Sequence, residues 1–426
     1  MFRQTAYRFL ACCMLCMVSA CGDSGSGSST VAANQVVLAK SGDNYQEVRH
    51  IVLRGTNREI GRAIAQLADN YYQTQPLSFD SLQDRDSRNS YIQQHFPTLA
   101  ERQKGVADYY GWGEGDLHDS STLWYDIQPV NCSAIFFPKS VTASGHSFQA
   151  RNMEFYTVDM YQFINPGTPG KGNKLFSRNF VMETYPQDGG YASLVLGTLD
   201  LLNGAYDGFN EYGLTISGLV DQNLANKTIP LNEMEKQEGV NYLQMVRLIL
   251  EGARTVEEAW QIASKLKVYF PMDGIHFLLG DRNGNSIILE FSEVDLSPRL
   301  VFPTSPGPNI MTNHSVYKYP SVSTFPPIDY SKSYDTFYRY LRLYDYLQAS
   351  VFHKYTPDDG LYAMSLVYGF VNDASEGTAR PLPTRTVWSL VMDVDDLTMK
   401  VKFYTVDDNV LKTPLFTDAY TFRLQK

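Results

Sequence analysis

One cysteine of this 426-residue chain stands far from the rest. Cys132 lies in PVNCSAIFFPK, residues 129–139, while Cys12, Cys13, Cys16 and Cys21 crowd the N-terminus. The opening MFRQTAYRFLACCMLCMVSA has the order of an export signal: Arg3 and Arg8, an apolar run from Phe9 to Val18, then Ser19 and Ala20. That run is too short for a good membrane span. Once residues 1–20 and Cys21 are accounted for, Cys132 is the one thiol left in the body, and it has no partner for an intramolecular disulfide. Exported proteins tend to pair their cysteines or lose them, because free thiols oxidise. A single leftover thiol is therefore a candidate nucleophile. The alternative is a small buried hydrophobe.

Other chemistries lack their residues. No His-Glu-x-x-His is present, and the seven histidines are scattered without metal-ligand spacing. No Gly-x-Ser-x-Gly elbow occurs. GTPGKGNK, residues 167–174, has the composition of a phosphate loop but not its Gly-Lys-Ser/Thr ending. A papain-like pair of Cys132 with His146, His276 or His314 stays open at this level, without the flanks of that family. No metal or organic cofactor is implied.

The Val18-Ser19-Ala20-Cys21 junction resembles a bacterial lipoprotein cleavage box, which would make Cys21 the lipidated residue of an exported, membrane-anchored protein. Gly22 follows in place of an acidic residue, which in a cell with two membranes resembles an outer-membrane destination facing the periplasm. Residues 21–36 then read as a flexible tether. The formal charge of −10 argues against nucleic-acid partners. Hydrophobic residues at 43% are enough for a full core, and no second apolar run is long enough to cross a bilayer. The membrane is expected to be met only through the N-terminal lipid.

Around Cys132 the pattern predicts alternating blocks of helix and strand. Gln35 to Leu53 is strand-like. GTNREIGRAIAQLADNYY, residues 55–72, is a helix capped by Thr56 or Asn57, and helical texture runs on to Trp112. CSAIFF and FQARNMEF flank the turn TASGHS as a hairpin with half-buried strands. Residues 191–220 give further strands. Residues 240–267 give two helices, the second opened by a capping box of Thr255 with Glu258. Asn283-Gly284 turns a hairpin within residues 276–292. Residues 334–350 form a helix whose aromatic stripe reads as core, and residues 385–404 are a last hairpin. The fold class is α+β, helices packed on antiparallel sheets, with residues 37–426 one folded unit.

Four motifs in order resemble a known group: Cys132 with its hairpin; Arg151-Asn152-Met153-Glu154; FNEYGLTISGL at 209–219; and MTNHSVY at 311–317. They are similar to the N-terminal-nucleophile hydrolases of the choloylglycine hydrolase and isopenicillin N acyltransferase kind. GTNREIG at 55–61 resembles the start of the early helix in the acyltransferase branch.

The resemblance implies a four-layer αββα sandwich and a precursor that cuts itself. Cys132 would attack the Asn131 carbonyl and become a new N-terminus, leaving chains 21–131 and 132–426. A thiol with an ordinary pKa of about 8.5 would then sit beside its own α-amine, of about 7.7–8.0, which can serve as the base. Arg151 would favour the thiolate. Glu154, where the family usually has Asp, would hold the α-amine. Asn313 would donate its amide to the oxyanion. Asn210 joins the set as the residue that fixes the turn into its strand. Val220 stands where the bile-salt branch has a second asparagine. A late family arginine has a counterpart in Arg339 by order alone, without a motif to anchor it.

The expected function is an amidohydrolase acting on a linear, non-peptide C–N bond of a small N-acyl amide through an acyl-cysteine. An acyltransferase to an amine, or a non-catalytic lipid-anchored binding module on the same fold, are the rivals.

Overall fold

β-branched, aromatic and leucine-rich runs separated by Gly, Asn and Asp turns form the strands. In chain order these are β1 (Val31–Leu38), β2 (Glu47–Gly55), β3 (Cys132–Phe137), β4 (Phe148–Tyr156), β5 (Arg178–Pro186), β6 (Ser193–Thr198), β7 (Asp207–Asn210), β8 (Thr215–Val220), β9 (Val240–Asn241), β10 (Val268–Tyr269), β11 (Ile275–Gly280), β12 (Ser286–Phe291), β13 (Pro298–Val301), β14 (Asn309–Met311), β15 (Phe370–Val371), β16 (Thr384–Asp393), β17 (Thr398–Asp407), β18 (Pro414–Phe416) and β19 (Tyr420–Arg423). The helices are α1 (Asn57–Leu67), α2 (Leu82–His95), α3 (Pro97–Tyr110), α4 (Met160–Ile164), α5 (Tyr242–Gly252), α6 (Val256–Ala263), α7 (Thr336–Gln348) and α8 (Pro357–Ser365). This computed structural model describes residues 30–425 apart from 43, 73, 75, 77, 121–130, 199–200, 203, 225–237, 271–273, 304–305, 331–333, 350–352, 372–381, 409 and 412. The expected signal peptide and Cys21 lie outside the described residues.

The strands form two large sheets. One runs β1-β2-β5-β6-β7-β8-β11-β12-β13, and the other runs β14-β3-β4-β16-β17-β18, with β15 on β16 and β19 on β17. Within them β2 and β5 run parallel, and the hairpin neighbours run antiparallel. β3 meets β8 and β11 across the gap between the sheets. Helices α1 and α5 cover the outer face of the first sheet, α3 packs on α1, and α7 and α8 cover the second. The layers are therefore αββα.

This layering corrects one expectation. The hairpin strands β3 and β4 are buried on both faces, not half-buried. Along β3 the side chains alternate between two apolar cores. Ala134 and Phe136 face the other sheet, while Ile135 and Phe137 pack with Leu343 and Leu347 of α7 and Leu361 of α8. A strand in a middle layer needs apolar residues at every position, so CSAIFF carries no polar face. The two sheets approach closely at Gly280, where a Cβ would lie 2.1 Å from the Phe136 ring.

Three local expectations are refined. β1 begins at Val31, inside the stretch assigned to the tether. Only Leu38 of it is buried, which hides the strand from a hydrophobic pattern, and backbone pairing to β2 forms it. Thr255 caps α6, but the Glu258 carboxylate reaches the Arg254 N–H and guanidinium instead of closing the box on Thr255. A reciprocal capping box is present at Thr56 and Glu59, opening α1. In α7 the buried face is Thr336, Arg339, Leu343 and Leu347, and the aromatic residues flank it half-covered.

Candidate active site

Pairing β3 with β4 sets Cys132 opposite Met153 and Ala134 opposite Arg151. Alternation along β4 then puts Arg151 and Met153 on one face and Asn152 and Glu154 on the other. The Cys132 sulfur lies on the Arg151 face. It is 3.9 Å from the Met153 sulfur and 3.5 Å from Arg151 Nη2. The same Nη2 donates to Gly218 O at 3.1 Å, and Arg151 Nε is 3.2 Å from Asp207 Oδ1. Asp207 in turn accepts from Trp388 Nε1 at 3.0 Å. Arg151 and Asp207 are both fully buried, so each charge needs the other. Asp207 is a site residue that no motif marked. Its signal was only an acid opening the strand before Asn210.

The backbone N–H of Cys132 donates to Asn313 Oδ1 at 2.6 Å. Asn313 follows β14, which pairs with β3 and delivers it there. Its own N–H donates to Thr336 Oγ1 at 2.8 Å, tying the strand end to the first turn of α7. One helical turn on, Arg339 reaches the same cluster. Arg339 Nη2 donates to Asn313 Oδ1 at 2.7 Å, and Nη1 donates to Ser133 Oγ at 2.8 Å and to the Cys132 carbonyl. With two donors on its oxygen, the Asn313 amide has one possible orientation. One hydrogen of Nδ2 goes to Val220 O at 2.8 Å, and the other is unclaimed among the described residues. Val220 thus takes part through its carbonyl, not through an N–H.

One expected placement differs. Glu154 does not touch the Cys132 nitrogen. Its side chain lies on the helix side of β4, where Oε1 accepts from Thr386 Oγ1 at 2.7 Å and Oε2 has no hydrogen-bond partner. Burial pushes its carboxyl up to about 7, against the pull of Arg339, Thr386 and Arg151. The extra methylene relative to Asp fits because residue 369 is glycine: a Cβ there would sit 2.4 Å from Glu154 Cγ. Asn210 is not brought to Cys132. Its Nδ2 donates to Leu250 O and Ala253 O at 2.7 Å each, and its Oδ1 accepts from the N–H groups of Tyr212 and Leu214 at 3.1 Å. It clamps the β7–β8 turn to the end of α5.

No histidine is bonded to the sulfur. His146 pairs with Asp393, His276 lies against Glu290, and His314 shares hydrogen bonds with Thr312 and Thr336. Burial holds the Cys132 thiol up at about 11, and Arg151 pulls the other way. In the continuous chain the thiol is therefore protonated at neutral pH. A cleft of about 770 Å³ opens near Pro138, Trp260 and Phe302, beyond the far end of β3, and none of its lining residues belongs to this cluster.

No curated protein matches the chain. Two variants of a conjugated bile acid hydrolase from Clostridium perfringens are similar in structure at 14% identity each. They cover 69% of this chain and 97% and 99% of theirs, with TM-scores of 0.45 and 0.46. A penicillin V acylase from Agrobacterium tumefaciens is similar at 16% identity, over 67% of this chain and 86% of its own, with a TM-score of 0.39.

The Glu154–Gly369 fit gives a test. Gly369→Ala should lower stability by about 1–3 kcal/mol through overpacking. Adding Glu154→Asp should recover most of that loss, which a double-mutant cycle in urea would read; strictly additive losses would show that the two positions do not share the space.

Residues 172–351, which hold Asn210, Asn313 and Arg339 but not the Cys132 hairpin, match the acyl-coenzyme A:6-aminopenicillanic acid acyl-transferase family, in line with the N-terminal-nucleophile hydrolase resemblance of the motifs.

Proposed function

We propose that the protein is an N-terminal-nucleophile amidohydrolase that uses Cys132 to cleave a linear amide through an acyl-cysteine, after cutting its own Asn131–Cys132 bond. The observation that carries this reading is the 2.6 Å hydrogen bond from the Cys132 backbone nitrogen to Asn313 Oδ1, on the residue whose sulfur faces Arg151. The nitrogen that would become the α-amine already has an acceptor, and the sulfur already has a cation beside it. Cleavage turns that amide into an amine able to take the thiol proton. Attack on the substrate carbonyl forms a C–S bond and an oxyanion. The unclaimed Nδ2 hydrogen of Asn313 is the donor proposed for that oxyanion. Collapse expels the amine, which takes the proton held by the α-amine, and water then releases the acid.

Arg339 is a positioning residue in this scheme, since it fixes Asn313 and the Cys132 carbonyl. Asn210 is proposed to hold the turn it clamps. Glu154, protonated in good part near neutral pH, is proposed to brace the helix side of the hairpin near Arg339. The match to an acyl-transferase family supports a second reading, transfer of the acyl group to an amine, because the same acyl-cysteine serves both outcomes.

The intact mass separates these ideas from a binding module. Wild-type protein should run as two fragments divided before Cys132, and Cys132→Ala should stay whole and inactive. An uncut wild-type chain with no turnover of N-acyl amides would sink the enzyme reading. Asn313→Ala should lower kcat by about 10²–10³, and product analysis with added amine would divide hydrolysis from transfer.

Lipid anchoring at Cys21 is proposed from the junction alone. Full-length protein should partition into detergent and Cys21→Ser should not; equal partitioning would remove the anchor.

A further inference from the structure

A small cavity beneath the outer helices is lined by donors that have nothing to donate to. It holds about 40 Å³ of space between α1, α3, α5 and the segment leading into β7. Arg102 and Gln103 of α3 and Gln244 and Arg247 of α5 line it, each less than 10% exposed. Arg102 Nε, Gln103 Nε2, Gln244 Nε2 and Arg247 Nη1 are all buried without a hydrogen-bond partner among the described residues. The Gln244 amide is fixed in direction, because its Oε1 accepts from Asn241 N–H at 3.0 Å and leaves Nε2 over. Arg247 makes one long bond, from Nη2 to Gly204 O at 3.5 Å.

Charge is unbalanced as well. Arg102 forms an ion pair with Glu251, and its Nη2 donates to Asn57 Oδ1 at 2.6 Å. Glu251 is the carboxylate that acts on Arg247 too, so two guanidiniums share one negative group. Asp188 accepts from Asn57, not from either arginine. A buried cation without a counter-charge is costly, and so is a buried donor left unpaired. Four such donors around one space, with net positive charge, describe the inside of an anion site.

We propose that this cavity binds a small monovalent carboxylate of formate or acetate size, with Arg247 as its main charge partner and the Gln103 and Gln244 amides as its hydrogen-bond donors. The space is small, about 40 Å³, which suits a three- or four-atom anion. The site does not depend on the chemistry at Cys132. Gly204 on its wall leads directly into β7 and Asp207, so a bound anion would steady the segment that braces Arg151.

The test uses the full chain and sodium formate, with ionic strength held constant by gluconate, which is too large to enter. The wild-type unfolding midpoint should rise with the logarithm of formate concentration once that exceeds the dissociation constant, as single-site linkage requires. Arg247→Met keeps the stem and removes the charge; it should show no such rise, and in formate-free buffer it should be as stable as wild type or more so. If that variant does not fold, Gln244→Met with titration calorimetry should show formate binding weakened about tenfold or more. A wild-type midpoint indifferent to formate, or an equal rise in Arg247→Met, would overturn the proposal and leave the cavity to water.

Discussion

The site depends on one hydrogen bond, from the backbone nitrogen of Cys132 to the side-chain oxygen of Asn313. A buried N–H at the start of a middle-layer strand needs an acceptor. In an ordinary strand the partner would be a neighbouring carbonyl. Here it is an amide oxygen held by Arg339, while the same amide's nitrogen holds Val220 O and its backbone holds Thr336. The second sheet, the first sheet and helix α7 therefore converge on one side chain. That side chain sits where a freed amine would need an acceptor.

The sulfur faces a different constraint. Burial opposes its ionisation, and Arg151 is the cation that favours it. Arg151 is kept in place by Asp207, an acid buried as deeply as the arginine and itself held by Trp388. On the proposed reading, Cys132 is a nucleophile that is quiet while its nitrogen is an amide. Cleavage would remove the amide and add a base on the same residue, so control and catalysis would both reside in the state of one peptide bond.

How much of this was legible depended on the residue. Cys132 and Arg151 could be read because a strand pairing puts them close, and the hairpin was visible in its turn residues. Asn313 was legible through Thr-Asn-His, but its orientation was not, since that follows from the two donors on its oxygen. Arg339 was hidden in a helix whose aromatic residues dominate the pattern, although its spacing of three from Thr336 puts it on the buried face. Asp207 and Gly369 carry no local signal; each is defined by what lies opposite it in the folded chain. Glu154 shows the limit of a motif: its position followed the family order, while alternation along β4 sent its carboxylate to the helix side. The hairpin strands misled in the same way, since a strand between two cores has no polar face to mark it.

The central claim is that Cys132 becomes a nucleophile when its own nitrogen is freed. The pH profile of thiol alkylation addresses it most directly, measured on the processed protein and on precursor whose intact mass shows the Asn131–Cys132 bond uncut. The account predicts that the whole chain is alkylated only as pH climbs toward about 11, and that the processed protein reacts several pH units lower, because a cationic amine then lies beside the sulfur. Identical profiles for the two forms would contradict it.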